Sequence, residues 1–232
     1  MLANENNYMA FNNFSEMPDF PYKIIEMLLT DTSQDAEDFW KLLKYTEVNA
    51  LKQKNLTLKE KKAMIWQGES IEQNFNVFLK PLIGSAMDSA EAQTQLRLYR
   101  YNTVPTTQFE AIVCFEADFV TNEKTSLVRR NKILCERTDV METLFLSVMN
   151  GRDIEIGSGV FQFNRELSRS CNSQLNIGNS KSFYGRSLIL ALQFVGADSG
   201  GGCGWFRNIR IELLCKYGQC TIWIKRWWLD LY

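Results

Sequence analysis

The sequence predicts an α+β protein. It should have a helical N-terminal region, then a small mostly antiparallel sheet covered by one long amphipathic helix, and a Trp-rich, hairpin-like C-terminal tail. Three observations lead there. Apolar residues recur at helical spacing from Pro21 to about Phe78. Apolar and polar residues alternate through "FEAIVCFEADF" (109–119), the period-two signature of a half-buried strand. The composition then shifts abruptly after "GADSGGGCG" (196–204), a glycine-rich linker. The expected organisation is a flexible arm (1–17), a helical region (18–83), a connector (84–95), an α+β domain (96–196), and a linker with C-terminal extension (197–232).

Residues 1–17 are polar and rich in Asn, with Tyr8, Phe11 and Phe14 interspersed, as in an arm that docks aromatics on a neighbour or a frayed terminus. Pro21 suits a first helical position ahead of Ile24, Ile25, Leu28 and Leu29, which share one face. "DTSQDAEDFWKLLKY" supplies Asp and Ser caps and early acids, then the apolar patch Phe39, Trp40, Leu42 and Leu43. "TLKEKKAMIWQG" has capping-box spacing from Thr57 to Glu60 and a stop at Gly68. "SIEQNFNVFLKPL" repeats that spacing from Ser70 to Gln73, which predicts a fourth helix through Phe75 and Phe78.

"LRLYRY" and "FEAIVCFEADF" flank "VPTT", the pattern of an antiparallel hairpin. "SLVRRNKILCERTDVMETLFLSVMNG" reads as one amphipathic helix of about twenty residues. Its stripe is Ile133, Val140, Leu144 and Val148, flanked by Leu134, Met141 and Phe145, with polar positions at Arg129, Arg130, Lys132, Glu136, Arg137, Asp139 and Glu142 and a stop at Gly151. "GVFQFNRE" offers a short strand. "SFYGRSLILALQFV" offers a longer one, apolar on both faces, which suits a central strand or one covered by another subunit. Beyond the linker lie four of the six tryptophans, in two strand-like runs flanking Gly218. Such a tail is expected to dock on a partner or on its own sheet, with a membrane surface as the alternative.

The chemistry is bounded by what is missing. The 232 residues include no histidine, which excludes Ser-His-Asp and Cys-His machinery and His-containing zinc sites. Net charge is −1, from 26 basic and 27 acidic residues, so no global positive field favours nucleic acid. The six cysteines form no CxxC pair. The opening "MLANENNYMAFNNFSEM" has neither a basic flank nor an apolar run, so the thiols are expected free in a reducing cytoplasm. No run approaches the roughly 20 apolar residues of a membrane span.

Glu110, Glu116 and Asp118 share one strand face. They read as solvent-facing acids, with an acid pair or cation site as the alternative. "GSGVFQ" and "SGGGCG" match neither a P-loop nor a dinucleotide fingerprint. Arg129, Arg130 and Lys132, and "KEKK" (59–62), read as solvated helix faces, with the lining of a DNA channel as the alternative. No catalytic, cofactor-binding or metal-ligating residue is assigned.

The order of helices, hairpin, amphipathic helix and two strands resembles ring-forming neck and tail-completion proteins of tailed bacteriophages. "AEDFWKLLKYTEVNAL", "LTLKEKKAMIWQG" and "LNIGNSKSFYGRSLILALQF" are similar in phrasing to such virion proteins, over roughly residues 17–196. The resemblance implies a non-enzymatic structural protein of the tail-terminator type. Such a protein would form a homo-oligomeric ring at the head–tail junction and join tail tube or sheath to the connector. Its neighbours would be other neck, tube, sheath or connector proteins, with possible lumenal contact to DNA, no membrane and no cofactor. It would reside in the virion, assembled in the host cytoplasm. A cytoplasmic protein-binding adaptor and a metal-assisted carboxylate enzyme are the alternative readings.

Overall fold

In a computed structural model the described residues are 17–68, 75–81, 94–105, 110–153, 162–163, 183–195, 210–216 and 219–225. The architecture is α+β, as expected. The elements are α1 (Phe20–Thr30), α2 (Gln34–Lys44), α3 (Leu58–Ala63), β1 (Val77–Phe78), β2 (Thr94–Pro105), β3 (Glu110–Asn122), β4 (Leu127–Arg130), β5 (Ile133–Glu136), α4 (Arg137–Met149), β6 (Gln162–Phe163), β7 (Phe183–Val195), β8 (Arg210–Lys216) and β9 (Gln219–Lys225). The chain divides into two units, 1–196 and 197–232.

Local signals set the helix starts. Pro21 lies in the first turn of α1, one place later than expected, where its missing N–H costs no bond. Ser33 caps α2 by accepting the Ala36 N–H at 3.3 Å. The Thr57–Glu60 capping box is complete: Thr57 Oγ1 accepts the Glu60 N–H and Glu60 Oε2 accepts the Thr57 N–H at 2.8 Å. α3 is short, ending at Ala63 well before Gly68. Met64 and Trp66 then bond backbone-to-backbone with Asn76 and Val77, which converts the next segment into an edge.

The main sheet runs β1-β2-β3-β7-β6. β2 and β3 form the expected antiparallel hairpin, and β3 pairs with β7 along thirteen residues. Among the described strands only β1 is parallel to its neighbour. It stands where a fourth helix was expected over 75–81; Ser70 and Gln73 lie outside the described residues. The reason is visible at Asn76. Its Nδ2 donates to Leu43 O at 2.8 Å and Thr94 O at 2.9 Å, which ties the end of α2 to the start of β2 and leaves β-branched Val77 paired with Leu96. Thr94 and Gln95, read as connector, already belong to β2.

The expected twenty-residue helix is also corrected. Residues 127–136 form an antiparallel hairpin, and the helix proper, α4, has thirteen residues. Asn131 and Lys132 have φ of 50° and 70°, the left-handed pair that a two-residue hairpin turn requires. Ile133 and Leu134 are therefore 66% and 52% exposed, not part of the helix stripe. The rest of that stripe is as read: Val140, Met141, Leu144, Phe145 and Val148 are buried.

The helices meet one face of the sheet in a single core. Phe39 sits among Trp40, Phe119 and Phe145, with ring centroids 5.7–6.5 Å apart. Leu96, Leu98, Val113, Phe115, Leu188, Leu190 and Leu192 supply the sheet side. No described helix is long and apolar enough to cross a membrane. In the 197–232 unit β8 pairs antiparallel with β9, and Cys215 stands opposite Cys220 in register.

Candidate functional site

The second face of the sheet holds the first candidate. In register, Arg97 of β2, Asp118 of β3 and Ser187 of β7 lie side by side. Tyr99 and Glu116 occupy the adjoining row. These acids are not solvent-facing as expected: Asp118 is 1% exposed, and Glu116 is also buried. The correction has a physical basis, because neighbouring strands supply what a buried carboxylate needs. Tyr99 Oη donates to Asp118 Oδ2 at 3.1 Å, and Ser187 Oγ donates to Oδ1 at 2.5 Å. The Arg97 guanidinium donates to Gln95 Oε1 and to Pro81 O, and stacks 4.3 Å from the Phe78 ring.

Burial dominates the electrostatics. Desolvation, reinforced by the Glu116 charge, pushes the Asp118 carboxyl up to about 7 against the pull of Ser187, Tyr99 and Arg97. Desolvation followed by the Asp118 and Glu116 charges pushes the Tyr99 phenol up, out of the range of ordinary titration. Burial alone raises the Cys114 thiol to about 11 on the same face, leaving a poor nucleophile at neutral pH. Among the described residues no group of three or more Cys, Asp or Glu is placed to hold a metal ion. Both Asp118 oxygens are taken up by hydroxyl donors, which makes the cluster a satisfied protein-internal network. Glu110 begins β3, at the opposite end of the strand from Asn122 and away from this group.

Arg137, read as an exposed helix position, is fully buried. Its guanidinium donates to five backbone carbonyls: Thr125, Leu42, Tyr45, Thr46 and Glu47, at 2.6–3.2 Å. Three of those acceptors lie in or just after the last turn of α2, where unpaired carbonyls and the helix dipole favour a cation. Desolvation lowers the guanidinium to about 10, so it stays protonated at neutral pH. Sequence periodicity could not single out Arg137, since five distant carbonyls leave no local signal.

The basic positions separate. Within "KEKK", Lys61 is buried and pairs with Glu37 at 2.6 Å, which removes it from any surface patch. Arg129, Arg130 and Lys132 occupy the β4–β5 hairpin and its turn, not a helix. The Arg129 N–H donates to Val48 O at 2.7 Å, seating the hairpin beside the 3₁₀ turn Ala50–Lys52. A groove of about 480 Å³ lies there, lined by Lys52, Arg129, Arg130 and Lys132 together with Asp35 and Asp38. "SGGGCG" and all but the last residue of "GSGVFQ" lie outside the described residues. No family model, curated protein or solved structure matches the chain.

Proposed function

We propose that this chain is a structural subunit of a tailed-bacteriophage virion. In this reading it forms an oligomeric ring at the head–tail junction, of the neck or tail-terminator type, and joins tail tube or sheath to the connector. It works by burying surface against copies of itself and companion virion proteins, and it is assembled in the host cytoplasm. The phrases quoted above and the order of elements support it.

The observation that carries the reading is the sheet's margin. Among the described strands, β2 meets β1 at only two residues on its outer side, and β7 meets β6 at only two. β2 and β7 run in the same direction, each antiparallel to β3. An outer β7 rim of one copy can therefore add to the β2 rim of the next with the strand sense preserved, a head-to-tail contact whose rotation closes a ring. The buried acids support a structural role too, since hydroxyl donors occupy the Asp118 carboxylate.

The exposed aliphatic residues Leu127, Ile133 and Leu134 on the β4–β5 hairpin favour a second reading, a protein-binding adaptor. Light scattering of the purified chain over a concentration series, with mass spectrometry of purified virions, separates the two. A virion subunit is found in the particles and gives a closed oligomer alone or with a virion partner. A chain that stays monomeric and is absent from every particle refutes the proposal.

A further inference from the structure

We infer that the groove between the β4–β5 hairpin and the Ala50–Lys52 turn binds the phosphate backbone of nucleic acid without regard to sequence. The groove stands on its own geometry, and the inference holds or fails independently of the ring reading above.

Four cations from two distant segments line this one groove: Lys52, Arg129, Arg130 and Lys132. Among the described residues none of their side chains is engaged in a hydrogen bond or ion pair; Lys52, Arg129 and Lys132 are exposed and Arg130 is half-buried. Unpaired cations gathered in a cleft focus a positive field that a chain of net charge −1 otherwise lacks. The acids of the groove are already engaged. Asp38 Oδ1 accepts from Lys41 Nζ at 3.0 Å and from Gln34 Nε2, and Asp35 Oδ2 accepts from the Ser147 hydroxyl. Four cations against two acids leave the groove with a positive excess.

The lining also selects the ligand class. Among the described residues Leu51 and Leu144 are its only apolar members, whereas the exposed aliphatics Leu127, Ile133 and Leu134 do not line it. The buried core of an interface with a folded protein is depleted in charged residues and enriched in aromatics. A cleft flanked by two guanidinium forks and two ammonium groups suits a linear array of phosphates, because Arg meets phosphate in bidentate geometry and Lys meets it as a point charge. The left-handed Asn131–Lys132 turn holds the cations on a short, defined hairpin tip. No base-reading element is needed, so binding is sequence-independent.

The test is fluorescence anisotropy of the full chain with a labelled random duplex of ~30 base pairs across about 50 to 200 mM salt. Up to four phosphate contacts give a log–log salt slope of about −2 to −4, a loss of roughly ten- to two-hundredfold over that range. Replacing Arg129, Arg130 and Lys132 together with Gln should flatten the slope to about −1 and weaken binding at least ~tenfold at the low-salt end. As a control, replacing Lys59 and Lys62 with Gln removes positive charge outside the groove and should change affinity less than about twofold. Thermal melts of both variants confirm the fold. The inference is overturned by absence of saturable binding at the lowest salt, by a slope unchanged in the hairpin variant, by an equal loss in the control, or by poly-glutamate binding as tightly as the duplex.

Discussion

Asp118→Asn tests the second face of the sheet directly. The raised carboxyl means that the folded chain holds its proton where the unfolded chain has lost it. Its contribution is fully present below the unfolded value of 3.8 and disappears as pH rises through about 7. A shift from 3.8 to about 7 corresponds to roughly 4 kcal/mol between the two extremes, taken as a ceiling because water and relaxation soften buried electrostatics. Asparagine keeps the shape: its oxygen can accept from Ser187 and its amide can donate to the Tyr99 oxygen. At about pH 8 the variant should be more stable than the parent by about 2–4 kcal/mol, while near pH 4 the two should agree within about 1 kcal/mol. Urea unfolding followed by tryptophan emission, run on both proteins at both pH values, gives the difference of differences in which carboxylates remote from Asp118 cancel. Glu116, Arg97 and Tyr99 face Asp118 and are common to both proteins. A stability difference independent of pH, or a variant weaker than its parent at alkaline pH, would refute the reasoning.

Two other outcomes follow from burial. Arg137→Leu strands five carbonyl oxygens, and should lower stability by at least about 3 kcal/mol, seen as a reduced urea midpoint. Ile133→Thr, on the exposed hairpin, should stay within about 0.5 kcal/mol of the parent, whereas Leu144→Ala, on the buried face of α4, should cost about 2–5 kcal/mol.

Much of the fold was legible where a single signal decides. The Thr57–Glu60 box, the β2–β3 hairpin and the two-faced apolar β7 each announce themselves over a few residues. Residues 127–136 did not, because Ile133 and Leu134 fit a helical stripe as well as a strand. The Asn131–Lys132 pair was the missed clue: an asparagine between two short runs containing β-branched residues signals a tight turn. β3 misled differently. Its alternation was read correctly, but period two says only that the faces differ, not that the polar one is wet. Whether Asp118 is buried depends on Tyr99 and Ser187, which arrive from other strands. The groove likewise needed Lys52 beside Arg129, a juxtaposition that chain order conceals.

The pairing of β3 with β7 carries a consequence for how the molecule comes into being. Asp118 and Ser187 are partners across 69 positions of chain, and between them lie a hairpin, a helix and β6. During synthesis the β2–β3 ribbon leaves the ribosome well before β7 does, with one long rim of N–H and C=O groups still awaiting its mate. Closing so distant a pair is slow compared with forming helices, and an unpaired rim invites misassociation in the interval. The folding rate should therefore be limited by the docking of β7, and a chain truncated before Phe183 should aggregate instead of forming a smaller stable sheet.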